Sequence, residues 1–420
     1  MFILYRFLVI FFYPLILGII FLRKIFGKED AKRYKEKIFV SSIKCKRNEK
    51  KKLIWFHAAS IGEVQSIINL VQKYKKKYEI LITTVTKTSA QLISEKYDKE
   101  KNVYHRYFPI DASFILDKFL DQWKPSLVLF VDSEIWPNLM MMLKKRKIPS
   151  ILLNARITKK SYMRWKVVSK FAREIFSIFN LCLTSNHESV KYLKDLNAKN
   201  IKYFGNLKLS HKIDISNFKN KNSKILKKIK FWCAVSTHRG EDIFFLKTHS
   251  IIKKKIKKIL TIIIPRHINR CATIKKECLK QNLSCQILNR NENIDKSKQI
   301  IVINSFGNLK EFLQLSKSVF MGKSLLKKFE KIGGQNPIEA AKLGCKIYHG
   351  PFTYNFREIY NQLKKLNISK EISNEKVLSK NIIKDLVNKR KKFDKSIIKI
   401  EKLGNKVLSN NFYEINKFLI

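Results

Sequence analysis

The chain has 420 residues and carries 87 Lys or Arg against 33 Asp or Glu, a formal charge of +54 at pH 7. Its 45% hydrophobic and 12% aromatic content excludes a disordered polyelectrolyte, and its length accommodates two domains with separate cores. The charge favours anionic partners such as nucleic acid, an acidic bilayer or phosphorylated substrates, although Lys scattered over helix faces is also what a solvated surface carries.

Met1 to Leu22 is apolar apart from Arg6, and Arg23, Lys24 and Lys28 follow. With Ile3 to Tyr5 included, the stretch reaches the ~20 residues that span a bilayer, and no small-residue cleavage site ends it. It reads as an uncleaved anchor over 1–27, with a helix lying in the interface as the alternative; either leaves the rest of the chain on the cytoplasmic side. Residues 28–52 form a basic connector that anionic headgroups would attract.

Short apolar runs then alternate with amphipathic ones. Strands are expected at Leu53 to His57, Ile80 to Thr84, Val103 to Tyr107, Leu127 to Val131, Ser150 to Leu153, Leu181 to Thr184 and Ile201 to Phe204. Helical patterns include Thr88 to Tyr97, Trp136 to Arg146 and Ser161 to Phe179. This alternation predicts a mostly parallel sheet flanked by helices over 53–215. A polar, Asn/Lys-rich linker is expected at 216–228, and a second domain at 229–374. Its strands are expected at Phe231 to Val235, Leu260 to Ile264, Ile300 to Ile303, Ser318 to Met321 and Lys346 to Tyr348. A Lys-rich helical segment follows over 375–420. The fold class is thus α/β, two doubly wound domains behind an N-terminal helix.

The candidate chemistry clusters just after strands, where doubly wound folds bind ligands. Glu63, in His57-Ala58-Ala59-Ser60-Ile61-Gly62-Glu63, falls in the first turn of a helix, as a cap or as a working carboxylate. Asp132 and Glu134 follow another strand, on one side of it by period-two alternation, as a divalent-metal pair or as a cap for the helix opening at Pro137. Pro265-Arg266-His267 and Ser236-Thr237-His238 place cationic and hydroxyl groups at strand ends, suited to phosphate. Gly333-Gly334-Gln335-Asn336-Pro337-Ile338-Glu339 joins close-approach glycines to a capping Asn, a Pro at the first helical position and a Glu able to grip a ribose.

The seven Cys (Cys45, Cys182, Cys233, Cys271, Cys278, Cys285 and Cys345) form no C-x-x-C pair and read as structural thiols of a reducing compartment. No RNP, zinc-finger or basic-zipper pattern speaks for nucleic acid.

In order and spacing, these stretches resemble the 3-deoxy-D-manno-octulosonic acid (Kdo) transferase family of lipopolysaccharide core synthesis. Ser133 to Asn138, Asn154-Ala155-Arg156, Gly205-Asn206-Leu207-Lys208, Gly350-Pro351 and Asn355 to Glu358 contribute to the resemblance. It implies a GT-B fold, a lipid A precursor (lipid IVA) as acceptor in the bacterial inner membrane, CMP-Kdo as donor, inversion at the anomeric carbon, and neither cofactor nor metal. By position, Glu63 matches the proton acceptor, and Glu134 and Lys208 the residues that stabilise the transition state. Pro265, Arg266, Gly307, Asn308, Leu309, Asn336, Pro337, Ile338 and Glu339 match the CMP-binding segments. Gln335, Ala340, Asn308 and Lys323 depart from the family pattern, which usually has His, Pro, Glu and Gly there. The alternatives are another GT-B sugar-nucleotide enzyme of lipid A synthesis and a basic membrane-surface binding protein without catalysis. The number of Kdo units added and the oligomeric state are not legible.

Overall fold

The structure, a computed structural model, describes residues 1–39, 47–213, 220–305, 307–388 and 394–419. Cys45 and parts of the expected connector and linker lie outside the described residues.

Two compact units form, Met1–His211 with Leu403–Ile420, and Lys212–Lys402. The sequence divides the chain at 375 near its end, whereas these units divide it at 402. In the first unit β1 (Leu53–His57), β2 (Glu79–Thr84), β3 (Val103–Tyr107), β4 (Leu127–Val131), β5 (Ser150–Ala155), β6 (Leu181–Thr184) and β7 (Ile201–Tyr203) make one sheet in the order β3-β2-β1-β4-β5-β6-β7. Every pairing in it is parallel. The strand order reverses between β1 and β4, so the loops after these two strands diverge and leave a crevice at their carboxyl ends.

The sheet separates two core layers, as the period-two alternation of β1 requires. Leu53 and Trp55 pack with Phe108, Phe119 and Trp123 on one face. Ile54 and Phe56 pack on the other with Val64, Ile67 and Val71, with Val407, Leu408 and Ile415 from the last helix, Asp394–Asn416, and with Leu419 just after it. Gly404 lets that helix lie close, since a Cβ there would stand 2.1 Å from the Leu209 carbonyl oxygen.

The second unit repeats the plan. β8 (Lys230–Thr237), β9 (Ile259–Pro265), β10 (Cys285–Leu288), β11 (Ile300–Ile303), β12 (Ser318–Met321), β13 (Lys346–His349) and β14 (Ser369–Glu371) pair in the order β10-β11-β9-β8-β12-β13-β14, again in parallel. Its reversal falls between β8 and β12. β10 and β14, absent from the sequence expectation, are the two edges.

Two helical expectations change. Ser161 to Phe179 reads as one helix, but two form, Lys159–Val167 and Ser169–Phe176. The first buries no residue and the second buries Phe171, Ala172, Ile175 and Phe176, so the break falls where the chain leaves the surface for the core. The expected N-terminal anchor helix is likewise a pair, Phe2–Phe11 and Tyr13–Ile25, bent by 53°. Among the described residues no single helix is long and apolar enough to cross a membrane, and only this bent pair has the length and composition for it when taken together. One side of the pair is fixed to the first unit, with Phe2, Tyr5, Val9 and Tyr13 against its core. Tyr5 donates to Asp111 at 2.9 Å and Arg6 to Ser113 at 3.0 Å. The other side leaves Ile3, Leu4, Phe7, Phe11, Leu15 and Phe21 exposed.

Candidate active site

The helix Ile61–Tyr74 opens directly after β1, with Ser60 in extended conformation at its N-cap. Glu63 curls back over that end. One carboxylate oxygen accepts from the Ala59 amide at 2.7 Å and the other from the Ser60 hydroxyl at 2.8 Å. Glu63 thus ties down the turn before the helix without bonding a helix amide, and burial raises its pKa to about 7. Asp132 and Glu134 add to the rise by repulsion, and the bonds from Ser60 and Ala59 oppose it. A half-buried carboxylate poised near neutrality has the affinity for protons that general-base work needs.

Across the strand reversal, the chain after β4 turns through Asp132, whose φ of 59° is left-handed and suits Asp. The Asp132 carboxylate accepts from Lys208 Nζ at 3.2 Å and from the side-chain amide of Asn154, another left-handed residue. Asn154 in turn accepts from the Leu207 amide at 2.8 Å, so one network holds the short helix Leu207–Ser210 that carries Lys208. The ammonium lies beside the turn bearing Glu63, since a Cβ at Gly62 would stand 3.9 Å from Nζ. Glu134 sits two residues beyond Asp132, with His57 Nε2 at 3.4 Å from its carboxylate. The next helix, Pro137–Lys145, is held by Asp111, which accepts from the Asn138 and Leu139 amides at 3.0 Å each. Glu63, Glu134 and Lys208 are thus brought together. Asp111, Asp132 and His57 complete the group, and sequence reasoning gave none of them these partners.

In the second unit the remaining candidates lie on loops at the strand ends. Pro265 closes β9 and is buried, and Arg266 follows it exposed, its amide bonded to the Thr237 carbonyl at 3.1 Å. The loops after β8 and β12 are joined by Glu241, wholly buried, whose carboxylate accepts from the amides of His238, Lys323, Ser324 and Leu325 at 2.8 to 3.2 Å. A Cβ at Gly322 would stand 2.6 Å from the Ser236 carbonyl oxygen, so only glycine fits there. Lys323 has φ 58°, a left-handed position that a glycine would occupy without strain. Burial lowers the His238 pKa to about 4, with Lys323, His267 and Arg270 adding to the fall, so its imidazole is neutral at neutral pH.

Gly307, with φ 85°, precedes Asn308, which donates to Ser305 Oγ at 2.6 Å, and Leu309 begins the helix Leu309–Leu315. Lys310 on that helix pairs with Glu339 at 2.9 Å and so joins the 307–309 segment to the 336–339 segment. Glu339, read from sequence as a ribose grip, is in this structure an ion-pair partner. The helix expected to start at Pro337 starts at Ile338 and has five residues, Ile338–Lys342. Asn336 accepts from the Ile338 amide at 3.1 Å. So short a helix has little dipole to offer an anion.

Residues 32–211 match the family model for 3-deoxy-D-manno-octulosonic-acid transferase (kdotransferase). The 3-deoxy-D-manno-octulosonic acid transferase of Rickettsia bellii is 31% identical over 353 residues, 83% of this chain and 82% of its own. The chain belongs to this family. The Kdo transferase of Rickettsia typhi is 27% identical over the full length of both chains. Among solved structures, the UDP-GlcNAc 2-epimerase of Neisseria meningitidis bound to UDP-GlcNAc is 11% identical, with a TM-score of 0.54, and covers 88% of this chain and 99% of its own. That likeness is one of fold, two parallel-sheet α/β domains of GT-B-like type. As a Kdo transferase the chain is a glycosyltransferase, so its carboxylates and Lys208 belong to a protein that moves a sugar.

Proposed function

We propose that this chain transfers Kdo from CMP-Kdo to a phosphorylated lipid A precursor, lipid IVA, with inversion and without a metal or cofactor. The observation that carries the reading is Glu63 at a pKa of about 7 within one cluster with Glu134 and Lys208. Glu63 takes the proton of the acceptor hydroxyl, whose oxygen attacks the anomeric carbon. The bond from that carbon to the phosphate oxygen breaks, and CMP departs with the electron pair. A single base is enough for an inverting transfer. Positive charge growing on the sugar meets Glu134, and Lys208 offsets the negative charge of the phosphate leaving group. Pro265 and Arg266, Gly307 to Leu309 and Asn336 to Glu339 are assigned to CMP. Among the described residues only the backbone amide of Arg266 is tied down, and its exposed side chain can face a phosphate.

The exposed apolar side of the bent helix pair, on a chain of charge +54, supports attachment to the cytoplasmic face of an anionic inner membrane. Tyr5 and Arg6 hold the pair to the first unit, an arrangement suited to lying in the interface where a lipid acceptor resides.

The test is incubation with CMP-Kdo and tetra-acylated lipid A precursor, followed by mass spectrometry. Gain of one or more Kdo masses with release of CMP is expected. Consumption of a UDP-sugar in place of CMP-Kdo would overturn the assignment.

A further inference from the structure

His57 ends β1 with its side chain wholly buried beneath the loop that carries Glu134. It faces the same layer as Trp55, two residues before it, and is the registered neighbour of Thr83 on β2. Thr83 Oγ1 lies 2.8 Å from Trp55 Nε1 and 2.9 Å from His57 Nδ1. An indole N–H only donates, so Thr83 accepts there. Its own proton then goes to His57 Nδ1, the other partner of the hydroxyl. The opposite tautomer would leave a buried hydroxyl proton without an acceptor, which is costly. Nδ1 is therefore the acceptor and Nε2 bears the hydrogen. Nε2 is buried and lies 3.4 Å from the Glu134 carboxylate without completing a hydrogen bond, a long contact of the kind that tightens once substrate is bound. The ring cannot turn freely, with the Phe108 ring centroid at 4.0 Å and those of Phe130 and Trp136 at 6.3 and 6.1 Å.

We propose that His57 is a positioning residue: held as the neutral Nε2–H tautomer by Thr83 and Trp55, it closes its 3.4 Å contact with Glu134 into a hydrogen bond when substrate is bound and fixes the carboxylate toward the developing sugar cation. This rests on the role given to Glu134 above. A neutral donor suits that role. It orients the carboxylate without cancelling the charge that the transition state uses, whereas an imidazolium would pair with that charge and weaken it.

Nitrogen-15 histidine NMR of the full chain in detergent is expected to show His57 as the neutral Nε2–H form, with Thr83→Val populating the Nδ1–H form. An Nδ1–H or doubly protonated His57 in the parent protein would overturn the proposal. In kinetics, His57→Leu is expected to lower kcat by about 10- to 100-fold, the size of one lost hydrogen bond to a charged group, with KM for CMP-Kdo changed less than about threefold. His57→Gln keeps a donor and is expected to recover most of that loss. Equal losses in the two variants at unchanged melting temperature would also sink the idea. Glu134→Gln separates the two readings: full activity there removes the role of Glu134, while the NMR result still reports on the relay.

Discussion

At Glu63 two opposing influences meet on one carboxylate. The helix N-terminus and the bonds from Ala59 and Ser60 favour the anion, burial and the charges of Asp132 and Glu134 disfavour it, and burial wins to give a pKa of about 7. Because the base must be ionised to act, kcat/KM is expected to rise with pH through about 7 and level off above it. Asp132→Asn removes a negative neighbour, stabilises the Glu63 anion and is expected to move that acid limb to lower pH. A pH profile of the purified protein checks both, and an unmoved limb would detach Asp132 from Glu63. Glu63→Gln is expected to lower kcat on the order of 100- to 10,000-fold, the range for loss of a general base, with the melting temperature held. Glu63, Glu134 and Lys208 were legible because each follows a strand in a recognisable motif. The duties of Asp132 and Asn154 were not, because they depend on left-handed turns that an extended-strand reading does not supply. His57 and Asp111 were hidden because their partners lie 77 and 27 residues further along the chain.

The elements most readily foreseen are buried ones. All five residues of β1 and of β4 are buried, and such continuous apolar runs announce strands in a parallel sheet. β10 and β14, the edges of the second sheet, carry partly or fully exposed residues such as Gln286, Lys370 and Glu371, and offer no such run. The N-terminal stretch showed the opposite failing, since uniform apolarity cannot reveal the bend after Phe11. Its exposed side is a testable element. Phe7→Glu with Phe11→Glu is expected to move the chain from the vesicle-bound to the soluble fraction in flotation, while Tyr5 and Arg6 keep the helices docked. The last helix is equally open to test. Gly404→Ala drives a Cβ into the Leu209 carbonyl and is expected to lower the melting temperature by several degrees, an effect of about 1 to 3 kcal/mol.

For the whole molecule, charge and apolar surface make separable contributions to membrane binding. The +54 charge acts through a screening length that shortens with salt, so binding to anionic vesicles is expected to weaken between about 0.05 and about 0.5 M salt. A salt-resistant remainder should persist and vanish in the doubly substituted Phe7/Phe11 variant. If salt alone releases all the protein, the helix pair takes no part.

The return of the last helix to the first unit reorders folding in time. Val407, Leu408, Ile415 and Leu419 belong to the same core layer as Ile54 and Phe56, although some 350 residues of synthesis separate them. During translation, residues 212–402 emerge complete and are free to fold first, while the unit that was begun earlier waits with one side of its sheet only partly covered. A nascent chain arrested before residue 403 would therefore carry a finished second domain and an unfinished first, leaving the part of its apolar layer that the last helix covers for chaperones to shield.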